Sequence, residues 1–406
     1  REALRLRARE LRAYDGSRPP SELVEPLREV YDALRGEADA AFADAAASLA
    51  TVLYAEGAAE SAERVAAEAA LAAEKSEAHE ELGLALNLRA SALIELARPV
   101  EALPLFQASL ETRERYAPSD VSASLGNIAV TFTALGRFDE AVATGREAIA
   151  AGERLANRVH RNMAALYLAR ALFSLGRWDE ALATVTEVAP ETSPANRGMV
   201  IGPPLLVAIH RGELEQAQTV IDEFDRDQDE SGPAFESDYR SLREVALAHL
   251  RSDPLEALAV IDRAQSGDYA EWPTWLPLAI DLIDGLNDNE PLRTAAAALH
   301  RDMVPKTSPI VTAQAARLQA LLAARSGRIG RAQSFWQTAI EISDQAQIAF
   351  DAAALRLELF EHIPGDGRTG TGLQATLDTF ERLRAVPWAQ RARRSLDAAA
   401  SAGARR

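Results

Sequence analysis

The chain has 406 residues and no cysteine, so disulfide scaffolds, thiolate metal sites and cysteine nucleophiles are excluded. Its 44 basic and 61 acidic residues leave a formal charge of −17, which weighs against gripping DNA or an anionic membrane. A hydrophobic share of 48% with 26% charged residues excludes a disordered chain and a coiled-coil rod.

Alanine supplies about one residue in five, and Lys75 and Lys306 are the only lysines, a composition expected of a GC-rich bacterial gene. The charge is uneven: Arg1, Arg5, Arg7, Arg9 and Arg12 make the start basic, as Arg382, Arg384, Arg391, Arg393 and Arg394 do near the end. The longest nearly unbroken apolar run, Met199 to Ile209, is too short to span a bilayer and contains Pro203 and Pro204. No secretion signal opens the chain, so a cytoplasmic location is expected. The first residue is Arg1 rather than Met, which suggests a piece of something longer.

In chain order, helices are predicted near 1–14 and 21–35, flanking the turn DGSRPP. From residue 37 onward the chain repeats itself. YAEGAAESA at Tyr54, IELARPVEA at Ile94, TALGRFDEA at Thr133 and SLGRWDEA at Ser174 align on the turn residues Gly57, Ala97, Gly136 and Gly176, spaced by 40, 39 and 40. Weaker copies end at Ala217, Ala257 and Ala332. Each copy lies between stretches with apolar residues at i, i+3, i+4 and i+7, so each unit predicts helix–turn–helix. Gly136 and Gly176 suit the left-handed residue that closes a helix. Asp139-Glu140 and Asp179-Glu180 then place carboxylates at the positive end of the next helix. Phe132, Phe138, Leu172 and Trp178 are expected between the paired helices, and Ala141, Ala148 and Ala181 where helices approach closely.

GRFDEA and GRWDEA resemble tetratricopeptide (TPR) repeats in a longer form with a period near 40. With Gly136 at the turn, Leu125, Ile128, Ala129, Phe132, Ala141 and Ala148 fall at that family's packing positions. The pattern departs at Ala129 and Gly145, where the family has a glycine and an aromatic residue. The resemblance implies an all-α, α-α superhelix of roughly nine helix pairs with a C-terminal capping helix. The expected organisation is a helical lead-in over 1–36, a repeat array over 37–265, a divergent proline-rich unit over 266–309 with Trp272 and Trp275, and a closing array and cap over 310–400. Within the array, Pro203-Pro204 is expected to shorten one first helix. Helices are expected near 310–325, 329–346, 348–362, 370–384 and 387–400.

No motif nominates an active site. Gly365 to Gly370 spells G-x-G-x-x-G, but the helical period before it lacks the strand that a dinucleotide fold needs. Asp225, Asp227, Asp229 and Glu236 match four positions of a calcium loop, yet Glu230 stands where the glycine belongs. The histidines His79, His160, His210, His249, His300 and His362 are scattered without zinc spacing. The expectation is a non-enzyme with no metal and no cofactor.

What remains is the concave surface that first helices line in a TPR-like stack. Carrying that register along the chain nominates Tyr54, Asn87, Ser91, Glu95, Thr133, Arg170, Phe173, Met199, His210, Tyr239, His249, Arg317 and Arg325. Their mixture of aromatic, amide and charged groups suits a protein or peptide partner or a small-molecule inducer; the composition is also compatible with a homo-oligomer. The segment LDTFERLRAVPWAQRARRSL, Leu377 to Leu396, resembles the closing part of TPR regions in large bacterial signalling proteins, with Arg384 replacing the usual glycine. Those are maltose-regulator-like transcription activators of the LuxR type and ATPase-linked nucleotide cyclases, in which a STAND-class ATPase precedes a helical-repeat sensor. The resemblance implies a sensor array that regulates such a module; the alternative is a free-standing scaffold.

Overall fold

The computed structural model describes residues 1–12, 20–36, 38–192, 198–231, 239–263, 272–286, 288–302, 308–363 and 369–403. Among them are 21 α-helices and no strand, an all-α fold of the α-α superhelix class. In chain order the first helices are Glu2–Arg12 (α1), Ser21–Leu34 (α2), Ala40–Ala55 (α3), Ala59–Lys75 (α4), His79–Glu95 (α5), Pro99–Tyr116 (α6) and Val121–Ala134 (α7). There follow Phe138–Arg154 (α8), Arg158–Ser174 (α9), Trp178–Val188 (α10), Gly198–Arg211 (α11), Leu214–Ser231 (α12), Arg240–Arg251 (α13) and Pro254–Arg263 (α14). The last are Trp272–Asp284 (α15), Glu290–Asp302 (α16), Pro309–Arg325 (α17), Ile329–Gln345 (α18), Ala349–His362 (α19), Thr369–Leu383 (α20) and Val386–Gly403 (α21). Two compact units emerge: residues 1–135 with 143–167, and residues 136–142 with 168–406.

The turn chemistry explains the periodic breaks. Gly57, Gly136, Gly176, Gly212 and Gly327 all hold positive φ between 71° and 79°. Ala97 takes the same conformation at φ 57°, without a glycine. The chain then closes each helix with a six-residue backbone loop, as where Arg177 N–H donates to Leu172 O at 2.9 Å. The next helix opens on an Arg–Glu pair three residues apart: Arg98–Glu101, Arg137–Glu140 and Arg177–Glu180.

In the first unit, α3 is covered on nearly every side. Ala43, Ala45, Ala46, Ala47, Leu49 and Ala50 are all fully buried, because alanine lets the neighbouring helices come close. The basic opening helix finds internal partners. Arg5 donates to Asp44 at 3.1 Å and to Glu81 at 2.7 Å; Arg9 pairs with the same two carboxylates. Asp44 is fully buried, so α1 acts as a cationic cover over acids of α3 and α5.

The second unit is built on larger side chains. Trp178, Trp275 and Trp336 are its largest fully buried residues, each contributing roughly 1.5–3 kcal/mol or more by its apolar area. The proline-rich stretch holds two helices, α15 and α16, which pack mainly on α13, α14 and α17 and place Trp275, Leu276, Ile280 and Leu292 in the core. α11 runs straight through Pro203 and Pro204 and has 14 residues against 17 in α9. The prolines therefore lie inside that helix and do not end it.

Candidate functional site

In the first unit, one face of α5 carries Asn87, Ser91 and Glu95, all half-buried. Tyr54 of α3 reaches over to Glu95, its hydroxyl donating at 3.4 Å. Asn127 of α7 donates its amide Nδ2 to Oδ1 of Asn87 at 3.0 Å. The 40-residue step of the repeat sets the two amides side by side on successive first helices. That bond uses one donor hydrogen and one acceptor site. Asn87 Nδ2 and Asn127 Oδ1 make no hydrogen bond among the described residues, so an amide donor and an amide acceptor stand ready together. Ser91 and Thr133 turn their hydroxyls back onto the carbonyls of Asn87 and Ala129, both at 3.0 Å. These two are helix-bound and offer less to a ligand. Asn127 was missed by the concave register, although adding the repeat length to Asn87 lands on it.

In the second unit the nominated Phe173, His210, His249 and Arg317 lie in one internal polar and aromatic region. His210 is buried with its ring 4.2 Å from Phe350, 5.7 Å from Trp178 and 6.4 Å from Phe173. Burial, with His249 nearby, lowers its pKa to about 3, so the imidazole is neutral. His249 is likewise lowered by burial, partly offset by Asp281.

Arg317 is a buried hub rather than an open contact. Its Nε donates to both oxygens of Glu358 at 3.1 and 3.0 Å. Its Nη2 donates to Asp281 and Glu358 at 2.5 Å each, and its Nη1 to Gln314 at 3.2 Å and to Pro277 O at 3.4 Å. All five guanidinium N–H groups are thereby committed. Burial opposes its charge, but Glu358 and Asp281 hold its pKa well above the ordinary value. Burial also opposes the charge on Glu358, yet Arg317 and the Trp336 indole, donating at 3.0 Å, keep that carboxyl below its usual range. Asp281 and Asp351 go the other way: burial raises both, Asp351 to about 7.

The remaining nominated residues stand apart. Met199 packs against the second unit's core, and the buried Tyr239 ring sits over Gly198 and Gly202. Arg170 is half-buried. Arg325 donates to Asp284 at 2.7 Å and to Asp288 O at 2.9 Å, tying α17 to the end of α15. Asp225 of the calcium-like string accepts from Nε and Nη2 of Arg243, one carboxylate oxygen to each. The other acidic side chains of that string, and Gly365 to Arg368, lie outside what the structure describes. Among the described residues, no group of three or more His, Asp or Glu is arranged to hold a metal ion. Nor is any described helix long and apolar enough to cross a membrane.

Together these features define an all-α repeat protein with a half-exposed amide stripe in one unit and a buried ionic hub in the other. Residues 81–154, within α5 to α8, match the family model described as Tetratricopeptide repeat. Among solved structures, the chain is similar to BtubC (BKLC) from P. vanneervenii, at 19% identity and a TM-score of 0.41 over 55% of this chain and 91% of that one. It is also similar to a Rap protein complexed with Competence and Sporulation Factor, at 11% identity and a TM-score of 0.36 over 100% of this chain and 99% of that one. No curated protein matches the chain.

Proposed function

We propose that this chain is a non-catalytic helical-repeat interaction domain that takes an extended peptide segment of a partner protein along the α5 face of its first unit. The observation that carries the reading is the Asn87–Asn127 pair. Its unused donor and acceptor complement the C=O and N–H that one residue of an extended peptide turns to the same side, whichever way the two amides are turned. Asn87, Ser91, Glu95 and Asn127 all fall within the stretch that matches TPR repeats, which supports an interaction role. Glu95 and Tyr54 add an acidic and an aromatic group beside the amides, which favours a peptide with a basic or apolar side chain there. In the same reading the array regulates an attached signalling module of the STAND kind implied by the resemblance of Leu377 to Leu396.

Selection from a random linear peptide library, followed by fluorescence anisotropy, tests the reading. Asn87→Ala with Asn127→Ala removes two backbone-directed hydrogen bonds and is expected to weaken the selected peptides about tenfold or more. Undiminished affinity in that double variant contradicts the proposal.

A further inference from the structure

A second recess, in the other unit, is independent of the peptide-binding reading. It is a cavity of about 10 Å³ lined by Asp281 of α15, Gln314 and Arg317 of α17, Phe350 and Asp351 of α19, His210 of α11 and Trp388 of α21. That volume holds a single water-sized group.

The charges around it do not balance. Asp281, Asp351 and Glu358 face one guanidinium, and Arg317 spends its five N–H groups on Glu358, Asp281, Gln314 and Pro277. Nothing remains for Asp351, which makes no hydrogen bond and no ion pair among the described residues. The next cation, Arg391, is turned onto Glu361, with its Nε at 3.0 and 2.9 Å from the two carboxylate oxygens. The His210 ring is only 6% exposed, lines the same cavity, and is also without a hydrogen-bond partner among the described residues. Asp281 engages Arg317 through Oδ1 alone and keeps its other oxygen.

We propose that this recess binds a primary ammonium group, carried by a small amine, a lysine side chain or a peptide N-terminus. Three N–H donors meet three waiting acceptors: the Asp351 carboxylate, the second oxygen of Asp281 and a nitrogen of the neutral His210 imidazole. The positive charge offsets the surplus of carboxylates, which a water cannot do. The rings of Phe350 and Trp388, 5.3 Å apart and nearly perpendicular, add aromatic walls that favour a cation. Size selects within the class: an ammonium head matches one water, whereas guanidinium and quaternary ammonium groups are too large.

Isothermal titration of the full chain with methylammonium chloride, against sodium chloride at equal ionic strength, tests this directly. The expected result is saturable binding to the wild type, none with tetramethylammonium, and at least a tenfold loss in Asp351→Asn, an isosteric change that removes the charge. Heats indistinguishable from sodium chloride overturn the proposal and leave the recess to water. Undiminished binding in Asp351→Asn overturns it by placing the amine elsewhere. Given saturable binding, Nα-acetyl-lysine amide and glycylglycinamide separate the sources. Tighter binding of the first assigns a lysine side chain, of the second a peptide N-terminus, and of neither a free small amine.

Discussion

Asp179, in the first turn of α10, pairs with Arg384, which lies 205 residues further along the chain. Its other oxygen accepts from Arg211 at 2.7 Å, and Arg211 Nε also donates to Leu383 O at 3.3 Å. Two stretches far apart in sequence are joined inside the second unit. Arg384 itself holds a left-handed φ of 59°, where the resembled repeat families have glycine. The backbone penalty and the ion pair therefore act on one residue in opposite directions.

Replacing this residue separates the two. Arg384→Ala keeps the strained conformation and loses an exposed ion pair, at a cost of about 0.2–1 kcal/mol. Arg384→Gly loses the same pair but relieves roughly 1 kcal/mol of backbone strain, and so stays near wild type. Urea denaturation of both variants checks the ordering. An alanine variant as stable as the wild type means the pair contributes nothing.

Gly136 and Gly57 share a left-handed φ but not their surroundings. A Cβ on Gly136 would lie 2.3 Å from Pro309 Cγ, whereas nothing lies within 4 Å of one on Gly57. Gly57→Ala should cost about 1 kcal/mol from backbone strain alone. Gly136→Ala adds a steric conflict and should cost about 1–3 kcal/mol more. Thermal unfolding of the pair reads the difference; equal losses would show that Pro309 moves aside freely.

The hub in the second unit makes Arg317 a stability residue. Arg317→Met leaves Glu358 and Asp281 without their counter-charge and should cost about 3–5 kcal/mol. Adding Glu358→Gln to that variant removes one stranded charge and should recover part of the loss. Calorimetric melting temperatures test both steps, and a mild single-variant effect would mean that water replaces the guanidinium.

Asp351 gives the fold a pH signature with a definite sign. Its carboxyl titrates near 7 in the folded chain against an ordinary 3.8, because burial disfavours the anion and Asp281 adds to that while Arg317 partly offsets it. The folded state thus holds the extra proton between those values, and Asp351 makes the chain less stable as pH rises through that window. In amine-free buffer, Asp351→Asn should be more stable than wild type at pH 8, by roughly 1–3 kcal/mol. The gap should narrow as pH falls below 7 and close only near 3.8, below which the carboxyl is neutral in the folded and the unfolded chain alike. His210, lowered to about 3, opposes this in both proteins, since its contribution is lost as pH falls from 6.5 toward 3. A gap independent of pH would contradict the assignment to Asp351.

The repeat could be read from sequence because turn chemistry is local. Gly57, Ala97, Gly136 and Gly176 occupy the left-handed turn positions at which they align, and Phe132, Phe138, Leu172 and Trp178 are buried as expected. The register also led to Phe173, His210 and Arg317, since an inner helical face recurs at helical spacing. It could not show whether that face was open or already filled. Phe350, Asp351, Glu358 and Trp388 reach His210 and Arg317 only through tertiary contacts that no local pattern announces. The same holds for Arg5 and Arg9: the sequence shows a basic start, and only the fold brings α1 onto Asp44 and Glu81.

The most direct test of the interaction surface is amide hydrogen exchange of the full chain with and without a selected, bound peptide. Protection concentrated on α3, α5 and α7, greatest near Asn87 and Asn127 and absent in the double alanine variant, is the predicted result. Protection confined to α4 and α6, or to helices of the second unit alone, would contradict it.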